Sequence, residues 1–178
     1  FVAGSSWQPD EDIFIEYFNA HPEMKLIIAP HVIDENHLVE IINKLKRPYV
    51  RYTRADEQNV RKADCLIIDC FGLLSSIYRY GEVAYVGGGF GVGIHNTLEA
   101  AVYGIPVIIG PKYQKFQEAI QLIEAQGAYS INNATEFNSL MQRFYTDSSF
   151  LQQAGEKAGS YVRDNAGATD KIMQTVNF

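Results

Sequence analysis

The stretch Val83–Ala101, VAYVGGGFGVGIHNTLEAA, decides the fold. A short apolar run, Val83 to Val86, enters a loop with glycines at 87, 88, 89, 91 and 93, and the loop opens onto Asn96-Thr97-Leu98-Glu99, a helix start. Strand, glycine loop and helix in that order make an anion site. Glycine reaches positive φ and lets the backbone approach a ligand closely. The first helical turn adds unpaired N–H groups and the positive end of the dipole. A phosphate fits there.

Outward from this stretch, apolar runs alternate with amphipathic segments. Strands are expected at the start of the chain up to a Gly4-Ser5-Ser6 turn, then at Leu26–Ala29, Tyr49–Thr53, Cys65–Asp69, Val83–Val86, Pro106–Pro111 and Ala128–Ile131. The runs at 26 and 106 are apolar on both faces, as buried parallel strands are. Helical spacing recurs from Pro9, with Ile13, Phe14, Tyr17 and Phe18 on one side, and from Asp34, with Leu38, Ile41, Ile42 and Leu45. Arg54 to Arg61 reads as a polar loop. Further helices are expected at Leu73–Tyr80, Asn96–Tyr103, Phe116–Ala125, Thr135–Tyr145 with Thr135 as cap, and Ser148–Asp164. A short, loosely held one is expected at Thr169–Phe178.

Alternating strands and helices at this spacing imply an α/β fold, a doubly wound, mainly parallel, Rossmann-like sheet, in one domain over 1–178. Ligands of such sheets bind beyond the carboxyl ends of the strands, where the strand order reverses. That rule puts Ser5, Ser6, His31, Gly72, the loop from Gly87 to Asn96, and Pro111 to Phe116 on one rim.

The 178 residues, 47% hydrophobic, are enough for one core that covers about 70% of the extended chain's surface. Net charge is −6, with Lys and Arg scattered singly, which argues against a nucleic-acid partner. Cys65 and Cys70, if strand-spaced, stand roughly 16 Å apart, beyond the reach of a disulfide, so both should be free thiols. No stretch has the length of a transmembrane helix and no signal-peptide pattern opens the chain. The opening Phe1-Val2-Ala3-Gly4-Ser5-Ser6 runs straight from strand to turn without an initiator Met, as in a piece cut at a domain boundary.

Asn96-x-x-Glu99 has capping-box spacing. Beside a phosphate loop, a carboxylate one turn into the helix is also placed to accept from both hydroxyls of a ribose. His31 and His95 share the rim, which makes phosphate contact their reading, while His21 and His37 sit in ordinary helical or helix-end contexts. Asp10-Glu11-Asp12 contains an Asp-x-Asp pattern, but acids in a first helical turn are explained by the dipole, and no metal site is expected. A dinucleotide fingerprint fails in both registers, because Val92 and Ile94 stand where its last glycine belongs.

The combination Val86-Gly87-Gly88, Gly93-Ile94-His95-Asn96-x-Leu98-Glu99-Ala100-Ala101, Ile105-Pro106-Val107-x-x-Gly110-Pro111 and Phe116 resembles the C-terminal half of the bacterial 3-deoxy-D-manno-octulosonic acid (Kdo) transferases. Ala3-Gly4-Ser5, Asp69-x-x-Gly72 with Tyr78, and Gly167-Ala168 extend the resemblance along the chain. It implies the donor half of a two-domain GT-B glycosyltransferase. Such an enzyme moves Kdo from CMP-Kdo to a lipid A precursor, with inversion, at the cytoplasmic face of the inner membrane, as a step of lipopolysaccharide biosynthesis.

The acceptor site and catalytic base of the family belong to an N-terminal half, so no catalytic residue is expected in this chain. The donor-binding residues carried over are Ser5, Ser6, His31, Gly72, Gly88, Gly89, His95, Asn96, Thr97 and Glu99, with no cofactor or metal. Pro30 replaces an arginine common in the family, a role Arg54 or Lys112 would have to fill, and Leu73 replaces a glutamate. The alternatives are a UDP-sugar transferase or epimerase on the same scaffold, or a noncatalytic nucleotide-binding module.

Overall fold

The computed structural model describes residues 1–167. Seven strands, β1 (Val2–Ser6), β2 (Leu26–Pro30), β3 (Tyr49–Arg51), β4 (Cys65–Ile67), β5 (Ala84–Val86), β6 (Val107–Ile109) and β7 (Ala128–Ser130), form one sheet in the order β3-β4-β2-β1-β5-β6-β7. Every neighbouring pair is parallel. Each strand lies where its apolar run put it. The helices are α1 (Gln8–Ala20), α2 (Glu35–Lys44), α3 (Glu57–Val60), α4 (Leu74–Ile77), α5 (Leu98–Ala101), α6 (Gln117–Glu124), α7 (Ala134–Thr146) and α8 (Ser148–Asn165).

Alternation along the strands divides the core in two. Ala3, Ile28, Ile67, Tyr85 and Ile108 face Phe14 and Phe18 of α1, Leu38 and Ile41 of α2, and Phe137 and Phe144 of α7. Their neighbours Val2, Ala84, Val86, Val107 and Ile109 face Ala100 and Ala101 of α5, Leu122 of α6 and Ala158 of α8. Both faces of the central strands are therefore dry, which is why their sequences run apolar without a polar face. The two cysteines are free thiols, Cys65 buried and Cys70 half-buried.

The chain leaves β1 through α1 to reach β2 on one side and returns much later as β5 on the other. The order reverses between β1 and β5, so a crevice opens beyond their carboxyl ends. Three local expectations change. Gly4-Ser5-Ser6 is not a turn but the last part of β1, with a bulge between Gly4 and Ser6 that puts Ser5 at φ 51. The polar loop after β3 contains the one-turn helix α3, whose Asp56 caps it by accepting from Gln58 and Asn59 amides. Helix α7 starts one residue early and is capped by Asn133, which accepts from the Glu136 amide. The segment Thr169–Phe178, read as a final helix, lies outside the described residues.

Gly87 closes the crevice from below. A Cβ there would sit 2.3 Å from the Ser5 carbonyl oxygen, so β1 and the β5 loop touch backbone to backbone. Gly91, four residues on, has nothing nearer than 3.6 Å. Gly87→Ala should lower unfolding free energy by about 3 kcal/mol through overpacking against rigid backbone. Gly91→Ala should stay within about 0.5 kcal/mol of the parent. Urea unfolding of the two variants measures the difference.

Candidate functional site

The acids at the start of α1 build the site's foundation. Asp10 and Glu11 are fully buried. One Asp10 oxygen accepts from the Tyr85 hydroxyl at 2.7 Å, and the other accepts from the Gly88 amide at 2.9 Å and the Trp7 amide at 3.0 Å. Hydrogen bonds to a charged group contribute about 1.5–3 kcal/mol each, so three of them offset part of a desolvation penalty of several kcal/mol. Burial still raises the Asp10 pKa, with Gly88, Tyr85, Trp7 and His95 pulling the other way.

Glu11 accepts from the Ser6 hydroxyl at 2.9 Å and pairs with His37 Nε2 at 2.9 Å. Only Asp12 stays at the surface, paired with Lys44 at 2.6 Å. The dipole reading of this acidic triplet is thus corrected: two of the three carboxylates are interior anchors across the crevice. His37 is likewise no ordinary helix-end residue.

Above this foundation lie three stacked rings. His31 packs between Trp7, at a centroid distance of 4.6 Å, and His95, at 4.3 Å. Trp7 Nε1 donates to His95 Nε2 at 3.3 Å. Indole nitrogen is a donor only, so His95 accepts there and carries its proton on Nδ1 in the neutral form. Burial and the neighbouring His31 ring hold the His95 pKa below its ordinary value, against the pull of Asp10. His95 is a neutral N–H donor whose orientation Trp7 sets.

The glycine loop is corrected in two respects. Its Gly88 amide is spent on Asp10, and its buried glycines serve backbone packing: a Cβ on Gly88 would lie 2.4 Å from the Gly93 carbonyl, at φ +94. Helix α5 is one turn long, so little dipole stands behind it. The amides of Gly89, Asn96 and Thr97 at the helix end of the loop, like those of Phe90, Val92 and Ile94, make no hydrogen bond among the described residues. Ser6 is also withdrawn, since its hydroxyl is buried and donated to Glu11. The Thr97 side chain is buried as well.

A cavity of about 220 Å³ opens beside these groups. Ser5, His31 and Gly72 line it, joined by Cys70, Phe71 and Leu74. The bulge explains Ser5: it lifts one residue out of the ladder and re-aims its side chain. A serine at positive φ stores roughly 1–3 kcal/mol of strain. Phe71, 81% exposed, stands at the cavity's lip with no apolar neighbour required of it. Sequence reasoning passed over it, although an aromatic directly before Gly72 on the rim is a readable signal.

Asn96 and Glu99 do not form a reciprocal capping box. Asn96 Oδ1 accepts from the Leu98 amide at 3.0 Å, while its Nδ2 donates to Glu99 Oε1 at 3.3 Å. Glu99 is half-buried beside Tyr78. Of the two cations offered in place of the missing arginine, Lys112 reaches the glycine loop, donating to the Gly91 carbonyl at 2.8 Å. Arg54 sits after β3, at the far edge of the sheet.

No protein-family model matches the chain. It is 33% identical over 141 residues to a 3-deoxy-D-manno-octulosonic acid transferase of Aquifex aeolicus, covering 76% of this chain and 38% of that protein. A transferase of the same name from Haemophilus influenzae is 23% identical over 181 residues, 97% of this chain and 42% of that protein. Among solved structures, the C-terminal CMP-Kdo binding domain of WaaA from Acinetobacter baumannii superposes with a TM-score of 0.79 at 21% identity, over 91% of this chain and 88% of that one. The C-terminal domain of the group 1 glycosyltransferase LpcC from Francisella tularensis gives 0.62 at 14% identity, over 94% and 84%. The superpositions bear out the Rossmann-like GT-B half, and the sequence relatives bear out the resemblance. The chain spans less than half the length of these curated relatives.

His37 carries a pH signature. Burial alone would lower its pKa, but the hydrogen bond and charge of Glu11 raise it above the ordinary value, helped by Val32 and Glu40. A raised folded pKa stabilises the protein below the unfolded value, about 6.5, and that contribution fades as pH climbs through the folded pKa. The stability advantage of the parent over His37→Gln should therefore shrink as pH rises above about 6.5. Urea midpoints of both proteins across that range check it, and a constant difference would contradict the ion pair.

Proposed function

We propose that this homologue of the Kdo transferases is the donor-binding half of such an enzyme, holding CMP-Kdo while a separate N-terminal half presents the lipid A precursor and the base. The observation that carries this reading is a half-buried carboxylate with unused acceptor capacity, Glu99, on the rim that also holds a cavity, a neutral imidazole donor and three uncommitted amides. Ribose hydroxyls, a pyrimidine ring and a phosphate need those three kinds of group. The full-length relatives' shared name supports the choice of sugar.

In this proposal the amides of Gly89, Asn96 and Thr97, with His95 Nδ1–H, face the phosphate. Negative charge grows there as the bond to the anomeric carbon breaks and CMP leaves. One preorganised donor contributes roughly 2.7–4 kcal/mol to such a transition state. Glu99 accepts from the ribose, Ser5 and Gly72 border the base, and Lys112 supplies the positive charge that Pro30 does not. The acceptor attacks from the face opposite the phosphate, which inverts the anomeric centre. No metal or cofactor enters the proposal, and the working location is the cytoplasmic face of the inner membrane, reached through the other half. Among the described residues no helix is long and apolar enough to cross a membrane.

Glu99→Ala should weaken CMP binding about tenfold or more, as loss of charged hydrogen bonds does, while the melting temperature moves by less than about 2 °C. Calorimetric titration with CMP and with UDP on the same samples distinguishes the proposed donor from a UDP-sugar: preference for UDP would replace it.

Ser5→Gly gives an opposite pair of effects. Relief of the positive-φ strain should stabilise the fold by about 1 kcal/mol, while loss of the hydroxyl lowers CMP affinity. Thermal melts and the same titration read both. A variant that is stabilised with CMP affinity intact would remove Ser5 from the site.

A further inference from the structure

A second depression runs along the edge strand β7, from Gln126 and Ala128 at its start to Asn132 past its end, against the strap after β6. It measures about 480 Å³, within the range of small-molecule sites and larger than the cavity beside His31. The strap after β6 separates the two regions. Lys112 faces the glycine loop, its amide donating to the Gly89 carbonyl and its ammonium to that of Gly91, whereas Tyr113 and Gln114 line the groove on the other side.

The lining is chemically narrow. Among the described residues no charged side chain lines the groove, Glu136 and Lys157 standing behind Asn132 and Gln126, which disfavours phosphate and carboxylate ligands. Half-buried Tyr113, on the same face of the sheet as Ile123 and Ala128, supplies aromatic surface. Tyr129 borders the groove at the sheet edge with its ring turned to the opposite face, edge-on to Phe144 and Phe150 at 5.5 Å each, and its hydroxyl donating to the Gln126 carbonyl at 3.1 Å. Around them are amides with their donors engaged and their oxygens open. Gln114 Nε2 donates to the Pro111 carbonyl at 2.8 Å, and Asn132 Nδ2 donates to Glu136 at 3.0 Å, which leaves both Oε1 of Gln114 and Oδ1 of Asn132 to accept. The Ser130 hydroxyl, donating to the Gly110 carbonyl at 3.3 Å, keeps its own lone pairs.

One aromatic face, open acceptors and an uncharged lining match a polyhydroxylated neutral ring, whose C–H groups lie on Tyr113 and whose hydroxyls donate to amide oxygens. We propose that this groove is a carbohydrate-binding site, separate from the donor rim and specific for neutral saccharides. It does not depend on the nucleotide assignment, because the strap through Lys112 isolates it from the glycine loop. On a chain whose relatives are glycosyltransferases, such a groove would hold a glycan remote from the reacting bond.

Amide chemical-shift mapping of the labelled 178-residue chain tests it, with the neutral disaccharide N,N′-diacetylchitobiose as probe. Shifts are expected at Tyr113, Gln114, Ser130 and Asn132, saturating with a Kd of about 1–10 mM. Gln114→Ala, at an exposed position, should weaken binding about fivefold, the worth of one net hydrogen bond. Tyr113→Ala should abolish it. Added CMP should leave these resonances alone and shift Phe71, Gly72 and Glu99 instead, so a failed donor assignment and a failed groove give different spectra. Absence of sugar-induced shifts up to about 50 mM would overturn the proposal, as would shifts confined to the donor rim or undiminished in both variants.

Discussion

The structure turns on a buried carboxylate. Asp10, on the first turn of α1, draws in the Gly88 amide, the Tyr85 hydroxyl and the Trp7 amide, and so ties the loops that follow β1 and β5 across the point where the strand order reverses. Parallel strands meet only through long crossovers, and nothing in the ladder sets how far their loops splay. A fully desolvated charge sets it firmly, because every donor it lost would leave an unsatisfied group in a dry interior. Glu11 does the same one residue later toward Ser6 and His37, joining α1 to β1 and α2.

The glycine loop then acquires a different meaning from the one its pattern suggests. Glycines before a helix signal a backbone that a ligand can approach. Here Gly87 is bare because the Ser5 carbonyl passes beneath it, and Gly89 because Gly110 lies against it, 2.6 Å from where a Cβ would be. The close approach that glycine permits is made first by the protein's own backbone. The amides that this packing does not consume lie beside a histidine whose tautomer is set by Trp7.

The two depressions arise at different places in the sheet, one where strand ends diverge at the reversal and one along its open edge at β7, and the side chains that fill each gap are chosen by what it meets. Near β1 and β2 these are small or ring-shaped residues next to free amides. Along β7 they are Tyr113 and uncharged amide and hydroxyl side chains. The strained Ser5 shows that the first gap carries a cost to stability, which is where binding residues tend to be found.

Local pattern was enough for the seven strands, the amphipathic helices, the parallel α/β class and the rim, since apolar period and turn residues act over a few residues and the reversal rule follows from strand order. That Asn96 lies against Glu99 and His31 against His95 was legible because they sit next to the glycine loop in sequence or on the same rim. The roles of Asp10, Glu11 and His37 were not, nor was the commitment of the Gly88 amide. A carboxylate in a first helical turn looks the same whether it faces water or an interior, and Asp10 meets its partners 75 and 78 residues away. Only tertiary packing decides which of three neighbouring acids is desolvated, because that depends on which strand end the helix is pressed against.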